Sequence, residues 1–159
     1  MKLWEKGVNP EPAIIEFTAG TDRQTDLVFA KWDIIGSMAH VIMLQLVGLI
    51  SKDEKVKILQ ALHSLFELEE KGNLIIEDNV EDIHSQVEKE ISAELGDIGK
   101  KIHTGRSRND QVLVDIRLYT REQIDKLAMQ IKELFTKLQE QSTTRTRLEL
   151  PQVTEQHSR

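Results

Sequence analysis

The sequence contains no cysteine, only three prolines and few aromatic residues, and these shortages narrow the possible structures. Without cysteine there is no disulfide framework, no thiolate metal site and no cysteine nucleophile. Aromatic side chains make up 4% of the chain, so a buried core must be built from Leu, Ile, Val and Met. That composition favours packed helices over a β-sandwich.

The sequence has no stretch typical of a membrane span, a signal peptide or a nucleic-acid-binding surface. The longest uncharged run, Ile34–Ile50, is slightly short for a span and carries Ser37, His40 and Gln45, so we predict a core helix there. The N-terminus lacks the basic-then-apolar layout of a signal peptide. A formal net charge of -6 opposes phosphate binding. We therefore expect a cytoplasmic globular protein without a membrane or nucleic-acid partner.

Apolar residues recur at helical spacing in four segments, and no strand-like alternation occurs, so the predicted fold class is all-α. The first helix should run from about Asp22 to Ile50 and be buried on most sides. The second should run from a capping box at Ser51 to about Glu70. The third should begin near residue 78 or 79 and end at Gly96. Its narrow apolar stripe comprises Val80, Ile83, Val87 and Ile91.

The fourth helix should begin at residue 109 or 110 and run to about residue 141. At a rise of 1.5 Å per residue it would be roughly 45 Å long, which exceeds the width of a small domain. We therefore predict an N-terminal helical domain over 1–109, the first long helix of an incomplete bundle over 110–141, and a divergent tail over 142–159. The apolar seam of this helix comprises Ile124, Leu127, Ile131, Leu134 and Leu138.

A polar loop over residues 100–109 separates the third predicted helix from the fourth. Five basic side chains fall within nine residues there, in a chain that is acidic overall. A loop that leads into a helix N-terminus presents free backbone N–H groups and the positive end of the helix dipole, and arginines add bidentate contacts to planar anions. The pattern predicts a carboxylate or phosphate site.

The loop continues into the helix as Thr-Gly-Arg-Ser-Arg-Asn-Asp-Gln over residues 104–111, which resembles the substrate-binding signature of the argininosuccinate lyases, within the fumarase/aspartase superfamily. Residues 33–40 and 81–84 resemble two other segments of that family. The resemblance implies β-elimination of argininosuccinate to arginine and fumarate, which is the last step of arginine biosynthesis. It implies a homotetramer and neither a metal nor an organic cofactor, and the sequence offers no metal-ligand motif.

The same resemblance implies roles for particular residues. Ser107, Arg108 and Asn109 would contact the succinyl carboxylates of the substrate, while Thr104 and Arg106 would shape the loop. Arg106 could equally be structural.

Other polar residues keep two interpretations. His84 would be either a partner of the substrate or a histidine bonded to a backbone carbonyl. Gln111 would be either a ligand or a hydrogen bonder between helices, and His40 is interpreted as a core histidine. Near the N-terminus, Thr21 or Asp22 would replace a substrate-contacting serine of the family.

The family's catalytic histidine, in a Thr-His motif, and its catalytic serine, in a Gly-Ser-Ser loop, have no counterpart in these 159 residues. We therefore predict no catalytic residue in this chain, and expect an N-terminal part of such a lyase that is inactive alone. The alternative is a non-catalytic helical assembly or structural module related to the lyases. The spelling Arg-Ser-Arg-Asn-Asp-Gln disfavours a sister lyase that acts on adenylosuccinate or fumarate.

Overall fold

A computed structural model describes residues 22–146 of the chain, with side chains over 23–144. Every regular element in this range is helical, which confirms the all-α prediction. No helix within the described range is long and apolar enough to cross a membrane. The helices are α1 (Asp22–Leu27), α2 (Ala30–Leu46), α3 (Lys52–Glu70), α4 (Ile83–Leu95), α5 (Asp97–Lys100) and α6 (Arg108–Thr146), with a 3₁₀ turn at Lys101–His103 before α6.

The first predicted helix is two helices, because the chain tightens at Val28 and Phe29. Their backbone N–H groups donate to the carbonyls of Thr25 and Asp26, three residues back, instead of continuing the α-helical pattern. The ring of Phe29 packs edge-on against Tyr119 with centroids 5.2 Å apart. A tertiary contact of this kind leaves no Gly or Pro signal in the sequence.

Helix α2 was predicted to be buried on most sides, and that was wrong for its second half. Ile34, Val41 and Leu44 are fully buried, whereas Leu46 and Val47 at its C-terminal end are 75% and 60% exposed. Its main neighbours are α3, α4 and the 3₁₀ turn, and α6 contacts it near Asp33 and Gly36. The helix ends in a Schellman motif in which Gly48 has a φ of 81°.

Helix α3 begins where the sequence predicted. The hydroxyl of Ser51 accepts the N–H of Glu54, whose carboxylate accepts the N–H of Ser51 in return. The apolar face of α3 packs on α2 and α4 and closes the core. The buried hydrophobic cluster comprises Ala30, Ile34, Val41, Leu44, Ile50, Ile58, Ala61, Leu62, Leu65, Ile83, Val87, Ile91 and Ile102.

Helix α4 begins at Ile83, later than the predicted residue 78 or 79. The carboxylate of Asp82 caps it by accepting the N–H of Ser85 at 2.7 Å. The residues before it form a turn, in which the side chain of Gln86 accepts the N–H of Glu77. The predicted apolar stripe from Val80 to Ile91 is buried, as expected.

Helix α6 begins at Arg108 and extends to Thr146, five residues beyond the expected end. The hydroxyls of Thr143 and Thr144 donate to the carbonyls of Gln139 and Glu140, so these β-branched residues are accommodated within the helix. Residues 147–159, which include Pro151 and most of the predicted tail, lie outside the described range. The residues up to Tyr119 and those from Thr120 belong to two separate compact units. The three-part division at residues 109 and 141 stays a prediction.

Candidate functional site

The predicted carboxylate loop is a tight connection between α5 and α6. The 3₁₀ turn runs into Thr104, and Gly105 then takes a φ of 73°, a conformation that favours glycine. Ser107 caps α6: its hydroxyl accepts the N–H of Asp110, and the carboxylate of Asp110 accepts the N–H of Ser107 at 2.8 Å. The reciprocal bonds fix where the long helix starts.

Arg108 attaches the start of α6 to the start of α4. Its Nε lies 3.1 Å from Oδ2 of Asp82, and one Nη atom donates to the hydroxyl of Ser85 at 2.9 Å. The other Nη atom is buried and has no hydrogen-bond partner within the described range. One donor of this guanidinium is therefore left for a further acceptor.

Arg106 and His40 hold the loop against α2. Arg106 donates to the hydroxyl of Ser37 at 3.0 Å. The Nε2 atom of His40 lies 2.9 Å from the carbonyl oxygen of Thr104, and since a carbonyl only accepts, Nε2 carries the proton. Burial lowers the pKa of His40, so the ring is neutral at neutral pH. His40 is half-buried and joins helix to loop, and is not the core histidine that the sequence suggested.

The side chains of Thr104, Ser107 and Asn109 are exposed on the outer side of this anchored loop. The side chain of Asn109 makes no hydrogen bond to any residue that the structure describes. The structure therefore brings five of the predicted site residues, Thr104 and Arg106 to Asn109, into one loop. Asp22 is the first residue of α1, and its side chain lies outside the described residues.

A buried polar cluster lies under the loop. The Oδ1 atom of Asp33 on α2 is 2.8 Å from Nδ1 of His84 on α4 and accepts the side-chain N–H of Gln111 on α6 at 3.2 Å. Asp115, one turn further along α6, has Oδ2 3.7 Å from the same Nδ1. All four side chains are at least 95% buried. The bonded partner of His84 is a carboxylate and not the backbone carbonyl that one interpretation expected, and Gln111 bonds between helices. A role of His84 toward the substrate stays a prediction.

The cluster shifts the proton affinities of its members. Burial alone would lower the pKa of His84, but the hydrogen bond to Asp33 and the charge of that carboxylate raise it above its ordinary value. Burial, with the nearby charge of Asp33, raises the pKa of Asp115 to about 7. An imidazolium beside Asp33 and an Asp115 that is partly protonated near neutral pH reduce the buried negative charge.

The same residues offer the donor types that bind divalent cations. Asp33, His84 and Asp115 each bring one ligand atom within 4.8 Å of the others. However, the bond to Asp33 raises the pKa of His84 and so favours the imidazolium, which has no lone pair for a metal. The guanidinium of Arg106 also interacts electrostatically with both carboxylates. The arrangement fits an ion-pair cluster better than a metal centre, and the absence of a metal cofactor stays a prediction.

Sequence reasoning did not select Asp33 or Asp115 as members of a cluster. Each is a charged residue inside an apolar stretch, Asp33 between Trp32 and Ile34 and Asp115 between Val114 and Ile116. A buried charge requires a partner, so a charged residue within an apolar stretch could have indicated a buried polar cluster. Its partner could not be named, since the helices that meet there are far apart in the chain.

The comparisons with known proteins point to one family. A family model described as "Lyase" matches residues 12–151. The argininosuccinate lyase of Phocaeicola vulgatus is 50% identical over 143 residues, which cover 90% of this chain and 32% of that protein. That of Bacteroides thetaiotaomicron is 52% identical over 134 residues, covering 84% and 30%. That of Thermotoga neapolitana is 43% identical over 138 residues, covering 87% and 34%.

The chain thus spans about a third of the length of the curated relatives that it matches. The loop, its anchoring residues and the buried cluster all fall within the matched range. With a match over most of its sequence, the chain belongs to this lyase family.

Proposed function

We propose that the chain forms the substrate-carboxylate site of an argininosuccinate lyase, which splits argininosuccinate into arginine and fumarate in the cytoplasm. The family resemblance supplies the reaction, a β-elimination in which a base removes a proton beside a carboxylate and the C–N bond then breaks. The base and the catalytic serine are not among these 159 residues. In the proposed homotetramer other segments would supply them, and this chain would hold the succinyl part of the substrate.

One observation carries the proposal: an anchored loop with exposed polar side chains lies at the N-terminus of a 39-residue helix. Within the described residues, the backbone N–H groups of Arg108 and Asn109 have no hydrogen-bond acceptor. These two donors, the helix dipole and the exposed carboxamide of Asn109 together suit a carboxylate. Arg106 and Arg108 are held by neighbouring elements, so they fix the loop and supply positive charge.

Such a site suits a β-elimination, in which negative charge on a carboxylate must be stabilised. As the proton leaves, negative charge spreads into the adjacent carboxylate, and fixed donors around that group stabilise the transition state more than the ground state. A loop that is held by His40, Ser37 and Asp82 needs little rearrangement when charge develops.

The experiment is a titration of the ¹⁵N-labelled chain with succinate, followed by amide chemical shifts. Saturable shifts should centre on Gly105 to Asn109, and Asn109→Ala should weaken binding roughly tenfold, since a hydrogen bond to a charged group contributes about 1.5–3 kcal/mol. Asn73→Ala, at an exposed turn after α3, is the matched control and should bind as the wild type does. Equal affinities for all three proteins would refute the proposal.

A second candidate, a non-catalytic assembly module, is favoured by the seam of α6. Leu127, Ile131 and Leu134 are 55–60% exposed in the second compact unit. An apolar stripe of this kind is typical of a surface that packs against other helices. The succinate titration separates the two functions, because an assembly module requires no anion selectivity at the loop.

A further inference from the structure

Among the buried groups beneath the candidate site, Asp33 connects three helices. One oxygen of its carboxylate receives hydrogen bonds from two different helices, through His84 on α4 and Gln111 on α6. Asp33 itself belongs to α2 and is 99% buried. The bonding partners are 51 and 78 residues away in sequence, so this carboxylate joins three distant parts of the chain.

The two helices that Asp33 joins carry the residues that anchor the loop. Ser85, the neighbour of His84, accepts a hydrogen bond from Arg108, and Gln111 lies one turn beyond Arg108 on α6. On α2, Ser37 lies one turn beyond Asp33 and accepts a hydrogen bond from Arg106. The anchors of the loop are therefore one residue or one turn away from members of the cluster.

We propose that Asp33 is a positioning residue for this site: its carboxylate, bonded to His84 on α4 and Gln111 on α6, sets the positions of the two helices that fix the basic loop. The inference rests on the proposed function in one respect, namely that the loop is the binding site. The proton on His84 and the geometry of the cluster do not depend on which ligand binds.

The charges around His84 support this assignment. Asp33, Asp82 and Asp115 all favour its charged form, while burial opposes it. Arg106, from the loop, faces both Asp33 and Asp115, and Asp26 on α1 faces Asp115. Of these three carboxylates, that of Asp33 lies within hydrogen-bond distance of the ring, at 2.8 Å, and that of Asp115 lies at 3.7 Å. Asp33→Asn removes the charge of the carboxylate and keeps the shape of the side chain. The desolvation of the buried ring remains, so the pKa of His84 should fall below the ordinary histidine value.

The test is an NMR titration of the His84 side chain in the full 159-residue chain, using the ¹⁵N shifts of both ring nitrogens. Wild-type His84 should titrate above the ordinary histidine value. In Asp33→Asn it should titrate below that value, and the amide shifts of Gly105 and Asn109 should change. Asp97→Asn, at an exposed carboxylate paired with Lys100, is the control and should leave His84 unchanged.

A folded Asp33→Asn protein in which the His84 titration is unchanged would overturn the proposal. So would a wild-type His84 that titrates at or below the ordinary histidine value, and this measurement stands even if the variant does not fold. Succinate is added to the same samples. An absence of succinate-dependent shifts in the wild type would defeat the proposed function alone, because the titration of His84 is measured without ligand.

Discussion

The Nδ1 atom of His84 lies 2.8 Å from Oδ1 of Asp33, and both residues are at least 95% buried. A buried histidine that meets only carbonyls would lose its charge, whereas this one has a carboxylate on its ring nitrogen. The two side chains therefore form a buried ion pair, beside the polar side chains of Gln111 and Asp115. Removing one member of such a pair leaves an uncompensated charge, which costs more than the pair contributes when complete.

The first prediction concerns pH. The pKa of Asp115 is about 7 in the folded chain and 3.8 when unperturbed, and the pKa of His84 is also raised. The folded state then binds more protons than the unfolded state, so the free energy of unfolding should fall as pH rises from about 5.5 to 8. Urea denaturation across this range measures it. Carboxyls with lowered pKa values, such as Glu54, stay ionised in both states there.

Asp115→Asn isolates one contribution to that pH dependence. The carboxamide cannot ionise, so the loss of stability that Asp115 causes up to about pH 7 should vanish, and only the smaller loss above pH 6.5 from His84 should remain. Asp97→Asn should keep the wild-type pH dependence. A variant whose stability falls as steeply as that of the wild type would show that Asp115 is ionised throughout.

The second prediction concerns the packing of α5 on α4. A Cβ atom at Gly99 would lie 2.5 Å from the carbonyl oxygen of Ile91, and backbone cannot move aside cheaply. Gly99→Ala should therefore lower the free energy of unfolding by about 1–3 kcal/mol. At Gly36 a Cβ would meet only side-chain atoms, of Val114 at 3.2 Å and of Asp115 at 3.8 Å, so Gly36→Ala should cost less. Equal urea midpoints for the two variants would contradict this account.

The third prediction concerns the seam of α6. Within the second compact unit, Ile131 and Leu134 are about 60% exposed, which favours association between copies of the chain. Light scattering coupled to size-exclusion chromatography should show a mass that rises with concentration. Ile131→Gln should reduce this rise, and Glu133→Gln, off the seam, should not. A strictly monomeric wild type at high concentration would exclude the seam as an association surface.

The fourth prediction concerns activity. A polypeptide of these 159 residues should release no fumarate from argininosuccinate, because binding groups alone cannot transfer the proton. Fumarate absorbance would be followed with purified chain, after removal of any host lyase. Sustained turnover would require a base among the residues present.

The sequence predicted the helical class well, since helix periodicity and caps are local. Ser51 and Glu54 located the start of α3, and the stripe from Val80 to Ile91 identified a buried face. The break at Phe29 depends on a contact with Tyr119, 90 positions later, which periodicity cannot reveal.

In the candidate site, too, the local features were predictable from the sequence and the distant contacts were not. The residues of the loop are consecutive, so their pattern alone indicated an anion site. The partners of Arg106 and Arg108 are 69 and 23 residues away, and no spacing rule predicts them. Arg106 was expected to shape the loop, and its bond to Ser37 agrees with that expectation. Arg108 was expected to contact the substrate, and its bonds to Asp82 and Ser85 were not foreseen.

The carboxylate of Asp82 bonds to residues at the start of two helices. Its Oδ1 accepts the N–H of Ser85 at the start of α4, and its Oδ2 pairs with Arg108, the first residue of α6. Replacing Asp82 would uncap one helix and release the other together. Substitutions at Asp82 and Arg108 should therefore be non-additive, with the double variant losing less stability than the sum of the single losses. The N-termini of α4 and α6 are then thermodynamically coupled, so a substitution that destabilises the start of α4 also destabilises the start of α6.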